Sequence, residues 1–229
     1  MKKRLECIAS HVPDGIGMID VGTDHGYLPV ALARRGYPGA LYASDINAGH
    51  LAAARRSAAE AGLSGRIEFQ LCDGLDRCAP ESVDCIVIAG MGGDTICGIL
   101  DRAEFCMDPR YTLVLQPMTR AEVLRYWLVY NEFEIAAEDI AEEGGTLYTV
   151  LVARFGGVTR LNEAELFTGS FAQIREHPLG RRMIGSQLAR FNGILAALER
   201  SGAGIGDGRQ TLTRLIRDQL EEMENAYRT

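Results

Sequence analysis

No stretch of this 229-residue chain strings together the ~20 apolar residues that a bilayer-spanning helix needs. The basic start, Lys2-Lys3-Arg4, is interrupted by Glu6 and by Ser10-His11, so no signal-peptide core follows it. Both absences predict a cytoplasmic protein without a membrane partner. None of the six cysteines has C-x-x-C spacing, and there are four histidines. That leaves no zinc-ribbon or iron–sulfur pattern, so no metal is expected and the thiols read as small buried hydrophobes. A surplus of positive charge is missing as well. The net charge is −7, without the basic footprint usual in nucleic-acid binders. The deficit is uneven: residues 1–157 hold 14 basic and 22 acidic residues, and residues 158–229 hold 10 and 9. Also absent is G-x-G-x-x-G, the turn that seats a dinucleotide pyrophosphate on a helix N-terminus.

What the chain does have is Met18-Ile-Asp-Val-Gly-Thr-Asp-His-Gly-Tyr-Leu-Pro29, followed by a second short apolar run, Ala40–Ser44, closed by Asp45. This is a first strand, a tight glycine turn and a helix, with an acid ending the second strand. In a doubly wound α/β domain the crevice at those strand ends binds a nucleotide-like cofactor, and the second-strand acid takes the ribose hydroxyls. Gly22 and Gly26 allow a sharp turn and a close backbone approach. Asp20 and Asp24 beside the turn repel a pyrophosphate. They suit a cofactor with a cationic sulfonium and an ammonium group, as in S-adenosylmethionine.

Helices are predicted over about 3–11, 28–35, 49–61, 94–103 and 121–131. Strands are predicted over 18–21, 40–44, 67–71, 85–89 and 112–116, the last stopped by Pro117. Strands alternating with helices mean a mostly parallel sheet. Two further strands, about 134–142 and 147–155, are joined by Gly144-Gly145 as an antiparallel hairpin at one edge. Gly156-Gly157 then marks a boundary, giving a catalytic domain over 1–157 and a helical tail domain over 158–229. In the tail, Asn162 with Glu165 reads as a capping pair, and Pro178 suits a helix's first turn. Met183, Ile184, Leu188, Phe191, Ile194, Leu195 and Leu198 recur at helical spacing. A glycine-rich turn, 202–208, leads to a last helix striped with Leu212, Leu215, Ile216, Gln219, Leu220 and Met223. Two such helices pack antiparallel, like a coiled coil.

Every polar cluster falls at the carboxyl end of a predicted strand, where open α/β sheets bind ligands. Asp20, Gly22 and Gly26 follow the first. Asp45 and Ile46 follow the second, with Asp45 placed for the ribose hydroxyls. Asp73-Gly74 follow the third, with Asp73 placed for an adenine amino group. Ala89 and Gly90 close the fourth and open into Met91-Gly92-Gly93, where methyltransferases commonly place the acceptor. The Asn/Asp-Pro-Pro-aromatic run of many exocyclic-amine methylases is not there. Gln116-Pro117 ends the fifth strand.

The run Asp20 to Pro29, with Lys3-Arg4-Leu5 upstream and Gly90-Met-Gly-Gly93 and Leu115-Gln116-Pro117 downstream, resembles the bacterial tRNA (adenine-22-N1)-methyltransferase family. The hairpin carrying Tyr148 and the helical tail resemble it too. Gly26 stands where alanine is expected, and Asp45 where glutamate is usual. The resemblance implies an α/β, Rossmann-like class I methyltransferase with a mostly parallel sheet and a C-terminal helical, coiled-coil-like appendage. It implies use of S-adenosylmethionine to methylate N1 of an adenine in the tRNA D-arm; a monomer is expected, without a sequence feature that sets the oligomeric state. On that reading Asp24 is the carboxylate that stabilises the cationic product, with helix capping as its alternative role, and His25 and Tyr27 orient or stack the base. Arg4, Met91, Gly92, Gln116 and Pro117 face the substrate, and Arg181 and Arg182 in the tail grip the rest of the tRNA. Three other readings use the same residues: a small-molecule or protein methyltransferase, a non-catalytic S-adenosylmethionine-binding module, and, more remotely, a nicotinamide-dependent oxidoreductase.

Overall fold

A computed structural model describes residues 2–200 and 208–227. The chain divides into two compact units, residues 1–159 and 160–229.

The first unit is built on seven strands: β1 (Gly17–Val21), β2 (Ala40–Asp45), β3 (Ile67–Leu71), β4 (Cys85–Gly92), β5 (Thr112–Thr119), β6 (Phe133–Glu143) and β7 (Thr146–Phe155). They form one sheet in the order β3-β2-β1-β4-β5-β7-β6. The first five run parallel, and β7 is antiparallel to both β5 and β6. All five residues of β1 are buried, as a strand flanked on both sides within a parallel sheet should be. Asp20 is therefore an acid in the middle of the sheet. β6, at the edge, alternates instead: Phe133 and Ile135 point inward and Glu134 outward, until a bulge after Ile135 shifts the register.

Five helices accompany the sheet: α1 (Lys3–Ser10), α2 (Tyr27–Arg34), α3 (Ala48–Glu60), α4 (Gly93–Arg102) and α5 (Ala121–Tyr130). Arg125 of α5 is fully buried, and its Nη2 donates to Glu138 Oε2 at 2.7 Å and to Thr149 Oγ1 at 3.2 Å. This charged network ties α5 to the hairpin. Strand order reverses between β1 and β4, which opens a crevice at their carboxyl ends.

Pro117 does not stop β5, which runs on to Thr119. β5 pairs with β7 only over Leu113–Leu115, so Pro117 lies on an unpaired flank where a missing N–H is tolerated. Nor does β4 end at Ala89. It continues through Gly92 with register shifts on both sides of Met91, and α4 begins at once. A Cβ on Gly93 would lie 2.2 Å from the Arg120 carbonyl oxygen, so this glycine serves close backbone packing.

The second unit holds α6 (Glu165–Thr168), α7 (Phe171–Ile174), α8 (Gly180–Arg200) and α9 (Gly208–Asn225). Asn162 and Glu165 cap reciprocally: each side chain accepts the other's backbone N–H at 2.9 Å. α8 begins two residues after Pro178, and α7 has no counterpart among the predicted elements. α8 and α9 run antiparallel, with Arg181 paired to Glu224 at one end and Arg214 to Glu199 at the other. On α9 the buried face is Gln210, Thr213, Ile216, Leu220 and Met223. Leu212 and Leu215 lie on the outer face, half exposed, because the inward positions repeat as 213, 216, 220 and 223. The glycine-rich turn predicted at 202–208 lies, except for Gly208, outside the described residues.

Candidate functional site

The turn after β1 is held against the end of β2. Gly22 and Thr23 both donate backbone N–H groups to the Ser44 carbonyl, at 2.8 and 3.0 Å. Gly22 has φ +72°, and a Cβ there would collide with the Met91 methyl group at 2.1 Å. Asp24 follows with φ 52°, one of three non-glycine residues with positive φ among those described. Strain of this kind is kept where surrounding contacts impose it, often at functional sites. The contact here is with Asp45, whose carboxylate accepts the Asp24 N–H at 3.1 Å and the Asn47 N–H at 2.8 Å.

Four ionisable side chains converge on this point. Asp45 is buried, and His50 Nδ1 lies 3.2 Å from its Oδ2. His50 Nδ1 is 3.9 Å and His25 Nε2 is 3.6 Å from Asp24 Oδ1. The Asp24 carboxylate itself is 58% exposed, so it faces solvent between two imidazoles. It does not cap α2: the N-cap is Gly26, in a left-handed conformation, with no side-chain cap bond. His25 and Tyr27 stack with ring centroids 5.3 Å apart and planes 17° apart, and both are exposed.

Asp20 lies beneath the turn, 6% exposed, and its Oδ2 accepts from the Thr23 hydroxyl at 2.6 Å. Burial raises its pKa from 3.8 to about 6; the Thr23 hydrogen bond opposes the rise and the neighbouring Asp45 charge adds to it. A buried acid with a displaced pKa beside a cavity marks a functional centre.

That cavity is about 750 Å³, within the ~300–1,000 Å³ of small-molecule sites. Asp20, Gly22, Thr23 and Asp24 line it from the turn, Ala89 and Gly90 from β4, Leu5 and Ile8 from α1, and Tyr27 and Leu28 from α2. Its rim is cationic: Lys2, Arg4, Arg34 and Arg35. The Arg4 guanidinium donates to Gln116 Oε1 and sits over the Tyr148 ring, 5.5 Å from its centroid.

The structure thus brings Asp20, Gly22, Asp24, Tyr27, Ala89, Gly90 and Arg4 to one cavity. Gln116 joins through Arg4, Met91 through its contact with Gly22, and Asp45 through the Asp24 backbone. Gly26 starts the helix beside the turn. Gly92 and Pro117 sit farther along the β4–β5 ends, where Met91 pairs with Pro117 and Gly92 with Thr119. Ile46, 73% exposed, Asp73 and Gly74 sit at the ends of β2 and β3 and are not among the cavity walls. Asp73 forms an ion pair with Arg102 at 3.0 Å, and the Gly74 carbonyl accepts from the Ser44 hydroxyl at 3.0 Å. Arg181 and Arg182 belong to the second unit, exposed, with Arg181 held by Glu224.

Sequence reasoning missed Thr23, His50, Arg34 and Arg35. Thr23 and the arginine pair were readable as a hydroxyl inside the turn and two cations at the end of its helix. His50 carried a weaker signal, five residues past the ribose acid in the first turn of α3.

A family model described as a methyltransferase domain matches residues 1–151. A tRNA (adenine(22)-N(1))-methyltransferase of Bacillus subtilis (strain 168) is 35% identical over 156 residues, 68% of this chain and 66% of the relative. The chain therefore spans just under two thirds of that relative in the match. Solved structures align over nearly the whole length. The B. subtilis M1A22 tRNA methyltransferase superposes with a TM-score of 0.81 at 28% identity, covering 99% of this chain and 98% of that one. A Streptococcus pneumoniae protein determined in complex with S-adenosyl-L-methionine gives 0.83 at 29% identity, covering 98% and 99%.

Proposed function

This chain belongs to the methyltransferase-domain family, and from that premise we propose that it is a tRNA (adenine(22)-N(1))-methyltransferase, which methylates N1 of adenine 22 in the D-arm of tRNA using S-adenosylmethionine. The observation that carries the reading is the set of carboxylates around Gly22, namely Asp20, Asp24 and Asp45, at the topological switch point beside a cavity of cofactor size.

The residues present fit the cofactor. Asp20 offers a buried carboxylate, Gly22 leaves room for close approach, and Asp45 holds lone pairs beyond those used by two backbone N–H groups. Beyond the cavity walls, exposed Ile46 offers an apolar surface for the adenine ring, and Asp73, paired with Arg102, an acceptor for its amino group. Bound there, S-adenosylmethionine supplies an electrophilic methyl group on a sulfonium sulfur.

The chain's own residues do the rest. Adenine N1 carries a lone pair, so no proton has to leave before attack. Methylation leaves the base cationic, and the Asp24 carboxylate, exposed at the cavity edge, stabilises that charge and accepts from the exocyclic amine. The His25–Tyr27 stack forms a shelf on which the base lies, and alignment supplies much of the rate. N1 is hidden in paired RNA, so the base is drawn out at a cost of about a few kcal/mol. Arg4, Met91, Gly92, Gln116 and Pro117 bound the acceptor side, and Arg181 and Arg182 contact the RNA backbone.

Labelled S-adenosylmethionine offered with unmodified tRNA, with the same tRNA carrying guanosine at position 22, and with a metabolite pool tests this reading. Label in the first substrate alone is expected. Label in metabolites and none in RNA would establish a small-molecule methyltransferase instead.

A further inference from the structure

A second cluster of reactive side chains lies outside the cofactor cavity, where α1 packs against the edge of the sheet. Cys7 and His11 are four residues apart at the end of α1, a spacing that puts two side chains on one helix face. Asp139 of β6 meets them. His11 Nε2 lies 2.9 Å from Asp139 Oδ2, and the Cys7 thiol donates to the same carboxylate. The sulfur, nitrogen and oxygen donors all lie within 4.8 Å of one another. None of the three lines the cavity.

We propose that Cys7, His11 and Asp139 form a zinc(II) site that fastens α1 to β6, with water in the fourth position. The donor set selects the metal. Thiolate and imidazole with one carboxylate suit zinc, whereas magnesium and calcium take oxygen ligands. Zinc bonds of about 2.3 Å to sulfur and about 2.0–2.2 Å to nitrogen and oxygen need only small shifts of the present triangle, in which the His11–Asp139 contact opens slightly. His11 and Asp139 side chains are 23% and 30% exposed, so an ion and its water have a way in. Loading releases the Cys7 proton to solvent. His11 turns the Nε2 lone pair to the metal and keeps its hydrogen on Nδ1, and Asp139 binds as the carboxylate. The helix so fixed carries Arg4, Leu5 and Ile8 into the cavity wall, so the metal braces the wall without touching the reacting atoms.

Cobalt(II) titrated into chelator-treated full-length protein tests the site. One equivalent is expected to give a thiolate-to-metal charge-transfer band with tetrahedral d–d bands, all bleached by one equivalent of zinc. Cys7→Ser should abolish the charge-transfer band. His11→Asn and Asp139→Asn should keep it and lower affinity by roughly 10²-fold or more, beyond what loss of a mere supporting contact costs. Zinc should also raise the wild-type melting temperature and leave that of Cys7→Ser unchanged. A wild-type protein that shows no cobalt–thiolate band, or a band that persists in folded Cys7→Ser, would overturn the proposal and leave the cluster a hydrogen-bonded clamp. Unchanged affinity in both His11→Asn and Asp139→Asn would overturn it equally.

Discussion

At the scale of single residues, the site separates chemistry from stability. Asp24 is exposed, unused as a cap and flanked by His25 and His50. Asp24→Asn keeps size and removes charge, so the single-turnover methylation rate should fall by roughly 10²–10³-fold while cofactor and tRNA affinities move little. A rate within a few-fold of wild type would show that positioning alone drives transfer. Asp20 carries the opposite burden. Its folded pKa of about 6 exceeds the unfolded 3.8, so the fold favours the protonated acid. The Asp20 contribution to stability is greatest below pH 3.8 and declines as pH rises through 6. Asp20→Asn should therefore stabilise the cofactor-free protein by about 3 kcal/mol at pH 8, with the gain fading toward pH 4, and should weaken S-adenosylmethionine binding. Melting curves across that range, with calorimetry at neutral pH, check both parts. A melting gain independent of pH would contradict the buried charge as its cause.

At the scale of elements, what fixes each piece is a local contact that sequence shows unevenly. The strand–turn–helix at Asp20–Pro29 and the capping pair Asn162–Glu165 were legible because their chemistry lies within a few consecutive residues. The run of β5 through Pro117 was not, since only the partner strands reveal which flank is unpaired. Leu212 and Leu215 misled for a related reason: an apolar side chain on α9 counts as core only when its position faces α8. Gly26 illustrates the finer grain. Its φ of +70° and the Ala54 Cβ 3.0 Å from where a Cβ would stand favour glycine over the alanine that the family resemblance leads one to expect. Gly26→Ala should cost about 1 kcal/mol, or about 2–4 °C of melting temperature. The α5–hairpin tie is larger. Arg125→Met removes the cation paired with Glu138, which is 1% exposed, and should cost about 3–5 kcal/mol, while Arg125→Met with Glu138→Leu should recover most of it. Equal losses in the single and double variants would show that packing volume, not charge, holds α5.

At the scale of the whole molecule, the chain is an acidic Rossmann-like methyltransferase unit followed by a helical unit closer to neutrality. The mostly parallel sheet with its edge hairpin, and the clustering of Asp20, Gly22, Asp24 and Gly90 at strand ends, followed from motif order; the strand order itself did not. The Cys7–His11–Asp139 cluster did not, because 128 residues separate its helix from its strand. Nor did the Arg125–Glu138 pair, whose charges read as surface until the hairpin folds over them. Residues 160–229 form their own unit, so a chain ending at Thr159 should keep cofactor affinity and lose tRNA methylation. Normal methylation by that shorter chain would remove the tail from substrate binding. The central claim, that the carboxylate-ringed crevice at Gly22 serves methyl transfer to one Watson–Crick edge, is tested most directly by mapping the modified nucleotide. Unmodified tRNA treated with the protein and S-adenosylmethionine, then digested and read by mass spectrometry, should carry one methyl group, on N1 of adenine 22. A methyl group on another atom or another nucleotide, or unmethylated tRNA from protein that binds the cofactor, would contradict the account.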